Sequence, residues 1–141
     1  MKETYSLIIG AHYTDERGTI TFFNDFDMRE VKRFYRIKQH DNSAVRGWRG
    51  HKVEQRWFQV CSGTFEVKLV KIDNWDSPSE FIKSVQVILK AELNAVLHIP
   101  AGFASSLRAL SANSEIIVFS DYGIEHAKYD NYLFPPDYFK G

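Results

Sequence analysis

Residues Gln55-Arg56-Trp57-Phe58-Gln59-Val60-Cys61-Ser62-Gly63-Thr64-Phe65-Glu66-Val67-Lys68-Leu69 read as two strands joined by a tight turn. Residues 55–60 make the first strand. On the return, Phe65, Val67 and Leu69 alternate with Glu66 and Lys68, a period of two that collects the apolar set on one face of a sheet. The loop between them is Cys61-Ser62-Gly63-Thr64, where Gly63 can take a positive φ without steric cost.

Outward from this hairpin the same pattern recurs. A strand is expected over 19–23, after the turn-like Asp15-Glu16-Arg17-Gly18, and another over 31–37, with Val31, Arg33, Tyr35 and Ile37 on one face. Further strands are expected over 45–51, 84–89, 95–99, 106–110 and 115–119. The stretch 73–80, with Pro78 and three acidic residues, reads as a surface loop. Helical periodicity is almost absent, so the fold class is all-β, a sandwich or barrel. No repeat, linker or low-complexity tract divides the chain, and residues 1–141 are expected to form a single domain. The tail from Asp121, rich in Tyr and Phe and carrying Pro135-Pro136, predicts a short helix followed by an extended end.

Composition narrows the function classes. The chain has 141 residues, enough for a real core, with 44% hydrophobic and 15% aromatic residues. Eighteen Lys plus Arg balance eighteen Asp plus Glu, which argues against a nucleic-acid surface. No apolar run approaches the ~20 residues that cross a bilayer, and Met1-Lys2-Glu3-Thr4-Tyr5 lacks the zones of a signal peptide. A cytoplasmic location is the resulting expectation. Cys61, the lone cysteine, is expected to be a small buried apolar residue.

Chemistry concentrates in Val45-Arg46-Gly47-Trp48-Arg49-Gly50-His51-Lys52. On a regular strand Arg49 and His51 share one face, and Arg46, Trp48 and Lys52 share the other. If the first face lines a barrel, a guanidinium and an imidazole enter one cavity. The other histidines, His12, His40, His98 and His126, fall near turns, before Ile99-Pro100 or in the tail, and read as surface or structural residues.

The run Arg46-Gly47-x-x-x-His51-Lys52, followed by Phe58 and the Gly63 turn, resembles the nucleotide-sugar 3,4-ketoisomerases of the cupin superfamily and their relatives, the TDP-4-keto-6-deoxyhexose 3,5-epimerases. The motifs Asp15-x-Arg17-Gly18-x-x-Thr21-Phe22-Phe23, Arg33-Phe34-Tyr35, Ile99-Pro100-x-Gly102-Phe103-Ala104 and Phe119-Ser120-Asp121-Tyr122 match in the same order. The resemblance implies a cupin jelly-roll β-barrel, a homodimer, and a TDP-linked 4-keto-6-deoxy sugar as substrate in deoxysugar and surface-polysaccharide biosynthesis. It implies His51 as the catalytic base and Tyr35 as a phenol near the sugar. Arg33, Arg46, Lys52 and Arg108 lie on segments that the family uses around its pocket, and arginine forks match phosphate oxygens.

Arg49 departs from the pattern, because the ketoisomerases carry their first histidine there. Arginine is a poor general base but a good electrophile toward an enolate oxygen. Cupin metal ligands would fall on Arg49, on Gln55 or Arg56, and on Ser105, with Glu54 expected to face outward. One imidazole does not hold a transition metal, so neither metal nor other cofactor is expected. Two readings follow. The first is an isomerase or epimerase working through an enediolate; the alternative is a nucleotide-sugar-binding cupin that has lost catalysis through Arg49.

Overall fold

The alternating segments become strands of two antiparallel sheets in the computed structural model, which describes residues 4–141. In chain order these are β1 (Ser6–Ile9), β2 (Ala11–Asp15), β3 (Gly18–Phe22), β4 (Arg33–Gln39), β5 (Val45–His51), β6 (Arg56–Ser62) and β7 (Thr64–Lys71), and then β8 (Val85–Lys90), β9 (Ala95–Ile99), β10 (Phe103–Ala109), β11 (Ser114–Ser120) and β12 (Tyr132–Leu133). One five-stranded sheet has the order β1-β9-β6-β11-β4 and the other β12-β5-β10-β7-β8, with β2 and β3 forming a separate hairpin. The two sheets close a cupin-type jelly roll. Strands β1 and β2 were not anticipated, because Ser6 to Asp15 lacks a clean apolar alternation and much of it is exposed.

The β6–β7 turn tightens around Gly63, at φ +74, where a Cβ would run into Ser114 Oγ. Cys61 is exposed, a correction to its expected burial: it lies on the outward-facing parity of β6 near the hairpin end. Between the sheets, Phe58, Phe65, Leu69, Leu89, Leu97 and Ile116 are at most 1% exposed and form the centre of the core. Burying a side chain of this size stabilises the fold by roughly 1.5–3 kcal/mol.

A second cluster lies outside the barrel. Trp48, Val70, Ile72 and Ala104 on the outer face of the β5-β10-β7 sheet pack against Trp75, Ile82, Phe134 and Phe139. The aromatic tail supplies Phe134 and Phe139 of this cover, and the segment between β7 and β8 supplies Trp75 and Ile82. After the short helix α1 (Ile124–Ala127) and a 3₁₀ turn, β12 pairs with β5. Trp48 and Phe134 then exchange backbone hydrogen bonds at 3.0 and 2.9 Å, and Trp48 Nε1 donates to the Pro136 carbonyl at 3.1 Å. The expected helix and extended end are therefore both present, anchored by Trp48.

Candidate active site

The register of β5 against β10 decides which side chains meet. Ser105 pairs with Arg49 and Leu107 with Arg46, so β5 spends three residues where β10 spends two. Gly47 sits in this bulge at φ +138, with its Cβ position 2.7 Å from the Ser105 carbonyl oxygen, so that only glycine lets the strands approach here. The extra residue inverts the alternation. Arg46 and Arg49, expected on opposite faces, both line one cavity of about 440 Å³. Tyr35, Arg56 and Ser105 line it too.

Arg56, at the start of β6, is 5% exposed and donates from Nη2 to Ser105 Oγ at 2.6 Å. Its guanidinium lies 5.0 Å from the Phe58 ring centroid. Burial works against its charge, and Tyr35 and Glu54 support it. The sequence placed Arg56 only at a position where a cupin metal ligand would fall and not as a substrate contact, although an arginine two residues before Phe58 on the same face was a usable signal.

A second cavity of about 350 Å³ shares Tyr35 and Arg49 with the first and adds Arg33, His51 and Glu54. Arg33 donates to the Tyr122 carbonyl at 3.0 Å and to Glu54 Oε1 at 3.3 Å. Glu54 faces inward and is 2% exposed, which corrects the expectation that it points outward. The cause is Asp130. Its buried carboxylate accepts the backbone N–H groups of Lys52, Val53 and Glu54 at 2.7, 3.0 and 2.7 Å, curling the chain off the strand alternation directly after His51.

Asp130 acts on His51 as well. His51 Nδ1 lies 2.7 Å from the Asp130 carbonyl oxygen. A carbonyl only accepts, so Nδ1 carries the hydrogen and the neutral ring keeps a bare lone pair on Nε2. Nε2 is buried without a hydrogen-bond partner, 3.9 Å from Glu54 Oε2. Burial, helped by the charges of Arg56, Arg49 and Arg33 and opposed by the Asp130 bond, pushes the imidazole from 6.5 down to about 3. Burial pushes the Glu54 carboxyl up, against the pull of Arg56 and Arg33.

Two expected ligand contacts are placed elsewhere. Arg108 projects from the outer face of β10 and meets Glu66 at 3.4 Å, because its parity is opposite to that of Ser105 and Leu107. Lys52 lies outside the barrel, 5.9 Å from the Trp75 ring and 5.7 Å from that of Tyr132. His98 stacks on Trp57 at 4.9 Å and bonds Gln55 Oε1 through Nε2 at 2.8 Å, a structural role. Among the described residues no group of three or more His, Cys, Asp or Glu side chains is placed to hold a metal ion. No helix among them is long and apolar enough to cross a membrane.

The fold and the site together define a cupin-type barrel whose cup is lined with arginines around one unprotonated imidazole nitrogen. The chain belongs to the WxcM-like family, for the family model described as "FdtA: WxcM-like, C-terminal" matches residues 3–134. No curated protein sequence matches the chain at a significant level. Solved structures share the fold at low identity. The dTDP-4-dehydrorhamnose 3,5-epimerase of Sulfolobus tokodaii is 21% identical with a TM-score of 0.78, covering 100% of this chain and 82% of its own. QdtA, a sugar 3,4-ketoisomerase from Thermoanaerobacterium thermosaccharolyticum solved with TDP, is 19% identical with a TM-score of 0.73, covering 99% and 94%. ChmJ, a 3'-monoepimerase from Streptomyces bikiniensis solved with dTDP-quinovose, is 17% identical with a TM-score of 0.77, covering 95% and 71%.

Proposed function

We propose that this protein isomerises or epimerises a TDP-linked 4-keto-6-deoxy sugar, with His51 as the base that moves a carbon-bound proton. The observation that carries this is the tethered imidazole: Nδ1 is committed to a backbone carbonyl, which leaves the lone pair on Nε2, and His51 lines one cavity with Arg33 and Arg49. A hydrogen next to a ketone is acidic enough for a positioned imidazole, and the developing enediolate needs cations and donors nearby. Arg49 and Tyr35, shared by both cavities, serve the enediolate oxygen. Arg46 and Arg56 suit the diphosphate, and Arg33 steadies the sugar end of the site.

The low basicity of His51 has a built-in remedy. Burial contributes most to its depression, and the charges of Arg56, Arg49 and Arg33 add to it. A bound diphosphate pairs with such guanidiniums and offsets their charge, so the imidazole becomes a stronger base when substrate is present. The binding-module reading draws on the same depression together with Arg49, since a base left near 3 abstracts little. The test is incubation with TDP-4-keto-6-deoxyglucose in deuterium oxide, followed by NMR. Exchange of a ring C–H and movement or inversion at the adjacent carbon support the enzyme. Tight binding with no exchange for any nucleotide-linked keto sugar supports the binding module. We also propose a homodimer and a cytoplasmic setting, with light scattering on the purified protein testing the former.

A further inference from the structure

We propose that Glu54 is the second proton-transfer group of the site, serving the sugar oxygens while His51 Nε2 serves the carbon; this rests on the isomerase reading above. Shifting a ketone to the neighbouring carbon moves two protons, one on carbon and one on oxygen. A single imidazole already holding the carbon proton cannot also carry the other. The charged groups around the smaller cavity come from every element that forms it: Arg33 from β4, Arg49 from β5, Arg56 from β6 beyond it, and Lys128 from the C-terminal segment. Arginine does not cycle a proton in proteins. Lys128 is exposed and turned onto the Tyr129 ring, 5.1 Å from its centroid, so His51, Glu54 and Tyr35 remain.

Geometry favours Glu54. It is 2% exposed, and its Oε1 is held by Arg33 at 3.3 Å while Oε2 lies 3.9 Å from His51 Nε2. Two groups that close can meet neighbouring atoms of one sugar ring. A carboxyl can give a proton from one oxygen and accept one on the other, which suits transfer between vicinal oxygens. Burial also pushes the Glu54 carboxyl up, so it takes a proton more readily than a surface glutamate.

His51 Nε2 takes the proton from the carbon beside the ketone, and that electron pair forms the enediolate double bond as the carbonyl π pair moves onto oxygen. Glu54 takes the proton from the adjacent hydroxyl on one carboxylate oxygen and gives it to the former carbonyl oxygen. The new carbonyl forms there, and His51 returns its proton to the former carbonyl carbon. Both groups end as they began, and no oxidant or reductant is consumed.

The experiment separates the two protons. Wild type, Glu54→Gln and Tyr35→Phe are incubated with TDP-4-keto-6-deoxyglucose in deuterium oxide, following carbon–hydrogen exchange and ketone position by NMR, with TDP affinity measured by calorimetry. For Glu54→Gln we expect TDP affinity within a few-fold of wild type, ketone movement reduced by ~10²–10³, and exchange reduced far less. Wild-type ketone movement in Glu54→Gln, an equal fall of exchange and movement, or the split appearing in Tyr35→Phe instead, overturns the proposal. Should Glu54→Gln fail to bind TDP, Glu54→Asp keeps the charge beside Arg33 and decides by the same split. Wild type that binds TDP yet exchanges nothing overturns the isomerase reading itself, a result distinct from the failure of Glu54 alone.

Discussion

One inner strand face crosses two environments in this barrel. Along β6, Arg56 lines the cup, and Phe58 and Val60, on the same face, belong to the dry core. Along β4, Arg33 and Tyr35 line the cup, and Ile37 packs against that core. The apolar half is a plug that holds the sheets at a fixed spacing. The charged half is a cup in which guanidiniums and an imidazole are kept partly dry, with the energetic cost carried by the plug. Stability and chemistry are thus separable along a strand rather than between strands.

Substitutions in the two halves should therefore fail differently. The largest effect is expected at the base: His51→Asn should lower isomerase or epimerase turnover by ~10²–10⁴ and leave TDP affinity within a few-fold. Steady-state kinetics beside calorimetry checks this, and an active variant would move the base elsewhere. In the plug, Phe65→Ala should cost about 3–5 kcal/mol in denaturant unfolding, since Phe65 is 0% exposed and its removal leaves a cavity. If Phe65→Ala remains folded, TDP affinity should be close to that of wild type; a parallel loss of affinity would break the separation between the halves.

The buried titratable groups of the cup also make stability depend on pH. His51 is held down to about 3 from 6.5 by burial and by Arg56, Arg49 and Arg33. Between those values the unfolded chain binds the proton and the folded chain does not, so this contribution is complete above pH 6.5 and is lost as pH falls toward 3. Its upper bound is roughly 5 kcal/mol. Glu54 acts with the opposite sign: its raised carboxyl favours the folded state at low pH and loses that advantage above its ordinary range. Subtracting the stability curve of His51→Asn from that of wild type isolates the imidazole. A flat difference between pH 6.5 and 4 would show that His51 is not buried neutral.

Smaller effects are expected at Asp130 and Arg108. Asp130→Asn leaves three backbone donors facing a side chain that also donates, and should cost about 1–3 kcal/mol. Nitrogen-15 NMR of the imidazole should then show a loss of the pure Nδ1–H tautomer; an unchanged tautomer would mean that the carbonyl holds His51 without help from the carboxylate. Arg108→Ala, on the outer face, should change stability and TDP affinity by no more than about 0.5 kcal/mol. A large loss of affinity there would put ligand outside the barrel.

Alternation alone was enough to place most strands, because period two survives wherever one face is buried and the other is wet. It put Arg33 with Tyr35, and Arg49 with His51, on shared faces, and the motif around Arg46 and His51 carried the family. Alternation failed where a neighbour breaks it. The Gly47 bulge turns Arg46 toward the same cavity as Arg49, and the Asp130 carboxylate, contributed from far along the chain, draws residues 52–54 into a turn that swings Glu54 inward. Arg56 was visible as a residue but not as a cup residue, because the boundary between plug and cup depends on what the facing sheet supplies.

Local pattern thus determined the all-β class, the strand faces and the presence of an imidazole beside a guanidinium, since each depends on residues two apart in one segment. Tertiary structure alone decided the bulge, the tautomer of His51 and the meeting of Glu54 with Nε2. The bulge depends on the pairing of β5 with β10, and the other two on hydrogen bonds between residues 76 to 79 positions apart, Asp130 with Glu54 and His51; no local period encodes partners at such separations.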